Sequence, residues 1–140
     1  MEPIVIELFV AAPPADVYDA FLNPHSLKQW YTASPDWETP YAEVDPVPGG
    51  KLRIGFRHKT AGHEFDFSGT FEKLVPDEYI EYTLDDKRKV VIELLAEDGG
   101  TSITETFDPE ETFPRQEQIN GWTALLESLK AFLLNRAKAE

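Results

Sequence analysis

Ile4, Ile6, Leu8 and Val10 alternate with Val5, Glu7 and Phe9, a period of two that predicts a strand with one buried face. The same alternation returns further on. Leu52, Ile54 and Phe56 oppose Arg53 and Arg57; His63, Phe65, Phe67, Gly69 and Phe71 oppose Glu64, Asp66, Ser68, Thr70 and Glu72; Ile80, Tyr82 and Leu84 oppose Glu81 and Thr83. Val90–Leu95 is more uniformly apolar, and residues 101–107 close the series with Ile103, Glu105 and Phe107 in one phase. The last part of the chain changes period. Ile119, Trp122, Leu125, Leu126, Leu129, Phe132 and Leu133 recur at steps of three and four, which puts them on one face of a helix. That helix runs from Pro114 to about residue 138, and at 1.5 Å per residue spans roughly 36 Å, the width of a small domain.

Punctuation between these segments is clear. Pro13 and Pro14 open a short helix with Val17, Phe21 and Leu22 on its apolar stripe; Ala12 stands where a capping side chain is preferred. Asn23 and Pro24 end it, and a second short helix covers Pro24 to Trp30. Residues 32–50 carry Pro35, Pro40, Pro46 and Pro48 and no sustained period, with a short strand expected near Tyr41–Val44. Residues 59–62, 76–77 and 98–100 read as turns, as do Gly49 and Gly50. Gly121 interrupts the long helix at a cost of about 1 kcal/mol relative to alanine, read either as close backbone approach to a neighbour or as a simple surface glycine. Many strands and one terminal helix pack most simply when the sheet wraps the helix. That arrangement tends to leave an apolar space between them, a place for a ligand.

Length and charge narrow the function. At 140 residues the chain is expected to be one domain, 1–140, able to bury roughly two thirds of its unfolded surface. The formal net charge of −13 argues against nucleic acid and anionic membrane surfaces, which need clustered Lys and Arg. The one basic cluster, Lys87–Lys89 after Asp86, sits between two strands and reads as a turn. With no cysteine there is no disulfide framework and no thiolate chemistry. No signal peptide or membrane span is evident, so a cytoplasmic location is expected. No cofactor motif is present, and a monomer or weak homodimer is expected.

Glu105 is the sharpest candidate for chemistry. Its strand phase points it inward, where desolvation raises a carboxyl pKa and suits an acid, a base or a ligand-orienting group. No second catalytic residue accompanies it, which weighs against an enzyme. His58 and His63 flank the 59–62 loop in what reads as the inward phase, but without a third ligand they do not make a metal site. Aromatic residues carry the binding hypothesis: the expected ligand contacts are Trp30, Phe56, Phe65, Phe67, Tyr82, Glu105, Gln118, Trp122 and Leu126. Trp37 and Tyr41 are expected to gate the mouth.

Several stretches resemble one known family. These are Val17–Tyr31; Gly49–Ile54; Phe67–Pro76 with Tyr79–Thr83; Gly100–Thr104; and Gly121 and Trp122 followed by Leu125, Leu129 and Leu133. Together, and in this order along nearly the whole chain, they resemble the heat-shock-protein-90 ATPase activator-like family of the START-like (SRPBCC) superfamily. The resemblance implies an α+β helix-grip fold: a curved antiparallel sheet of about six or seven strands around a long C-terminal helix, with two short helices after the first strand. The superfamily includes lipid and hormone binders, aromatic cyclases and a few hydrolases. It also implies that the founding co-chaperones' separate N-terminal domain is missing here. The leading expectation is therefore binding of a small hydrophobic molecule, a lipid or flat aromatic compound. The alternatives are an interaction module modulating a chaperone ATPase, and a cyclase or hydrolase using Glu105.

Overall fold

A computed structural model describes residues 2–32 and 34–139. Its elements follow in the order β1 (Ile4–Val10), α1 (Pro14–Leu22), α2 (Pro24–Trp30), β2 (Trp37–Glu38), β3 (Ala42–Val44), β4 (Lys51–His58), β5 (Glu64–Val75), β6 (Tyr79–Leu84), β7 (Lys89–Glu97), β8 (Gly100–Phe107) and α3 (Arg115–Ala139). The strands form one antiparallel sheet in the order β1-β8-β7-β6-β5-β4-β2, with β3 also paired to β4. The sheet curves around α3, which lies against β1, α1 and α2.

The period-two pattern decides which side chains face the helix. Ile4, Ile6 and Val10 of β1 are buried, as are Thr101, Ile103, Glu105 and Phe107 of β8, whose alternation of buried and half-buried residues is unbroken. Val90, Ile92 and Leu94 of β7, Ile80, Tyr82 and Leu84 of β6, Phe71 of β5, and Leu52 and Ile54 of β4 complete the concave face. From the helix, Leu126, Leu129 and Leu133 fill the space between. A bulge between Phe71 and Lys73 shifts the β5–β6 register, bending the longest strand around the helix.

The short helices brace the same core. At α2, the Asn23 side chain accepts from the His25 amide at 3.0 Å, a cap that replaces the donor-less proline start. The α1 cap position falls on Pro13 rather than Ala12, and no side chain caps it. Thr101 donates its hydroxyl to the Ala12 carbonyl at 2.7 Å, fixing the entry to α1 against β8.

The sheet has eight strands among the described residues, one or two more than the sequence pattern predicts. The extra one, β2, is two residues long, too short to show a period.

Candidate ligand-binding site

A row of aromatic rings runs from the open end of the grip into its centre. Trp37 of β2 meets Phe65 of β5 edge-on at 5.4 Å, and Phe65 stacks on Phe56 of β4 at 5.0 Å. Tyr31, just after α2, lies 5.8 Å from Phe56 and 6.0 Å from Phe67. Phe67 in turn reaches Tyr82 at 6.1 Å and Trp122 of α3 at 5.8 Å. Trp122 stacks on Phe107 of β8 with centroids 4.2 Å apart. Offset-stacked and edge-on pairs of this kind each add about 0.5–1.5 kcal/mol beyond the area they bury.

At the outer end of this row the rings leave a cleft of about 310 Å³ lined by Trp37, Phe56, Phe65, Gln118, Gly121, Trp122 and Leu125. On the outer face of the sheet Arg57 anchors β2: its guanidinium binds Glu38, beside Trp37, at 2.7 Å. Phe65 is 55% exposed despite its inward phase and its contacts with Trp37 and Phe56, because it stands at the open mouth. Gly121 has a telling environment. A Cβ placed on it would meet nothing within 4 Å, so of the two readings from sequence close backbone approach is ruled out. The residue instead leaves the helix face open where the cleft passes.

Deeper in, the space is filled. Between Tyr31, Ile54, Phe71, Tyr82 and Ile92 the residual void is about 10 Å³, about enough for one water-sized probe. The sheet and helix therefore enclose a packed aromatic interior behind an open apolar mouth.

Glu105 sits in that interior, opposite Ile6 of β1 and Ile92 of β7, and is 3% exposed. Burial pushes its carboxyl up to about 8. Among the described residues it makes no hydrogen bond or ion pair. No fully sealed side-chain oxygen or nitrogen lacks a partner, so its carboxyl oxygens keep a narrow contact with accessible space. The Tyr31 and Tyr82 hydroxyls interact with each other and with the Glu105 charge, and burial holds both phenols well above their ordinary range.

The nine residues expected from sequence to contact a ligand divide by depth. Phe56, Phe65, Gln118 and Trp122 line the cleft. Phe67 forms the wall behind it, and Tyr82 and Glu105 lie beyond that wall. Leu126 is core, 1% exposed. Trp30 is core too: its indole N–H donates to the Ala20 carbonyl at 2.9 Å and its own carbonyl accepts from Ser128 Oγ at 2.6 Å. Gln118 borders the cleft, yet its amide is committed. It accepts from the Glu110 amide at 2.7 Å and donates to the Glu110 and Phe113 carbonyls at 2.8 and 2.9 Å, tying down the loop before α3. Gly121 and Leu125, which flank Trp122 on the apolar helix face, also line the cleft.

Two expectations need correction. Tyr41 does not gate the mouth: it lies against Gly55, its hydroxyl donates to Asp66, and Arg53 sits over its ring at 5.0 Å. Gly55, Arg53 and Asp66 all belong to the outward phase, so Tyr41 covers the other face of the sheet. His63 is exposed, just outside β5, rather than turned inward. His58 meets Trp37 edge-on at 5.1 Å, and its Nδ1 accepts from the Ala61 amide at 3.0 Å. Among the described residues no three His, Cys, Asp or Glu side chains cluster as metal ligands. No described helix is long and apolar enough to cross a membrane.

An antiparallel sheet gripping a C-terminal helix, with an apolar cleft at one end, defines a helix-grip α+β domain. The family model described as Activator of Hsp90 ATPase homolog 1-like protein matches residues 11–134, and the chain belongs to that family. Among solved structures, an AHSA1-like protein from Aeromonas hydrophila is 32% identical, with a TM-score of 0.91 over 99% of this chain and 95% of that one. A protein from Cytophaga hutchinsonii is 36% identical, with a TM-score of 0.81 over 98% of this chain and 95% of that one. One from Chromobacterium violaceum is 27% identical, with a TM-score of 0.87 over 95% of this chain and 98% of that one. A comparison with curated proteins finds no match.

Proposed function

We propose that this domain binds a small hydrophobic molecule, a lipid segment or a flat aromatic compound, in the cleft between Trp37, Phe65 and the Trp122 face of α3. The observation that carries the reading is the 310 Å³ cleft walled almost wholly by aromatic and aliphatic side chains. Left unoccupied, that surface is costly: apolar area in water is unfavourable by about 25 cal/mol per Å². Gly121 supports the same reading. A helix interior pays about 1 kcal/mol for glycine relative to alanine, and no packed neighbour demands it here.

Filling the cleft is the test. Gly121→Leu is expected to keep the fold, with thermal stability equal to or above wild type, because the new side chain grows into open space. Binding of any cleft ligand should fall by about tenfold or more, as each lost 1.4 kcal/mol is a factor of ten. Glu64→Ala, on the outward face of β5, should leave affinity unchanged. Isothermal titration of the three proteins checks this; equal affinity in Gly121→Leu and wild type overturns the cleft as the site.

A second reading, modulation of a chaperone ATPase, is favoured by the family's own description. On that reading binding passes through an exposed face, and Gly121→Leu leaves it intact.

A further inference from the structure

Behind the cleft lies a group that a purely apolar ligand would not use. Among the buried polar and charged side chains, Ser26, Thr39, Thr101 and Glu105, only Glu105 is chargeable. Thr39 and Thr101 each donate to a backbone carbonyl, whereas Glu105 has neither hydrogen bond nor counter-ion among the described residues. An unpartnered buried carboxyl is costly to a fold, by about 1–3 kcal/mol and more if charged. A chain of contacts leads from it to the cleft wall. Phe107, two residues along β8 and so about 7 Å away, stacks on the Trp122 ring that forms the cleft wall. Phe67 and Trp122, both partly exposed, meet edge-on at that wall.

Building on the cleft reading, we propose that the site selects hydrophobic primary amines, whose ammonium passes between Phe67 and Trp122 to pair with the Glu105 carboxylate. Three features fit that chemistry. An ammonium has three N–H donors, and the acceptors available are the carboxylate oxygens and the hydroxyls of Tyr31 and Tyr82, both of which feel the Glu105 charge. The faces of Trp122, Phe67 and Tyr31 attract a cation along the way. The net charge of −13 draws cations and repels anions, so carboxylate ligands such as fatty acids are disfavoured twice.

Binding is then linked to one proton. Free Glu105 is protonated at neutral pH and must ionise to pair with the ammonium. Nothing else near it titrates in that window. Its neighbours on β1 and β7 are Ile6 and Ile92, and α3 presents Trp122, Leu126 and Leu129. The Tyr31 and Tyr82 phenols stay neutral. Affinity for an amine should therefore rise with pH from 6 to about 8.

The probes are naphthylmethylamine and its uncharged counterpart naphthylmethanol, titrated calorimetrically against the whole chain. Wild type at pH 8 is expected to bind the amine about tenfold or more tightly than the alcohol. At pH 7 it should release about one proton per amine, read from the dependence of the heat on buffer ionisation. Glu105→Gln should abolish both the preference and the proton release while leaving alcohol affinity within about twofold. Equal affinities in wild type, absence of proton release, or a preference that survives Glu105→Gln overturns the inference. Alcohol binding without amine binding sinks the inference alone; binding of neither probe sinks the cleft reading as well. The wild-type proton count carries the test if Glu105→Gln does not fold.

Discussion

Trp30→Ala is expected to lower the unfolding free energy by about 3–5 kcal/mol, the usual range for removing a fully buried tryptophan. Ring packing and one side-chain hydrogen bond lie behind this. The ring is 1% exposed and packs edge-on to Phe21 at 5.4 Å and tilted to Tyr31 at 5.0 Å. Its Nε1–H holds the Ala20 carbonyl at 2.9 Å, so truncation also orphans a buried acceptor. The bond from Ser128 to the residue 30 backbone carbonyl, which ties α2 to α3, is kept in the variant. Trp30→Phe should recover most of the packing but not the hydrogen bond, falling between the two. Urea unfolding checks the order. A Trp30→Ala protein within about 1 kcal/mol of wild type would mean that the ring does not join α2 to α1 as described.

Glu105→Gln is expected to make stability less dependent on pH. In the unfolded chain the carboxyl ionises near 4.5, whereas in the folded protein it keeps its proton up to about 8. Between those values the native state binds the extra proton, so stability falls as pH rises through the window and levels off above it. At 1.36 kcal/mol per pKa unit, the wild type should lose about 3–5 kcal/mol relative to Glu105→Gln between pH 4.5 and 8. Both proteins carry the same remaining groups, so their difference isolates this one. Denaturant unfolding at pH 5 and pH 8 gives the answer. A difference that does not change with pH would show that the Glu105 carboxyl is solvated or paired.

The alternation Ile103, Glu105, Phe107 sufficed to turn the carboxylate inward, because a strand leaves no other choice. Likewise, spacing and capping marked out α3 to within a residue at its start. What the sequence could not show depends on contacts between elements. Trp30 lies on a short helix whose neighbours in space, Ala20 and Ser128, are ten and 98 residues away. Gln118 looks like a pocket residue from its helical phase, but the loop before α3 folds back and takes all of its hydrogen-bonding capacity. Tyr41 follows a proline in a segment with no period, so nothing local said which sheet face it would cover. The depth of the cavity was equally hidden. Whether Tyr31, Phe71 and Tyr82 leave room or fill it is decided by packing at the scale of a single methyl group.

The most direct test of the cleft is an amide-shift titration of the ¹⁵N-labelled protein with fatty acids, sterols and flat polycyclic aromatics. Saturable shifts centred on Trp37, Phe65, Gly121 and Trp122 are the expected result, with the largest from the aromatics. Shifts centred instead on the groove between α2 and α3, at His25, Gln29 and Phe132, would contradict the account, as would a panel that moves no resonance at all.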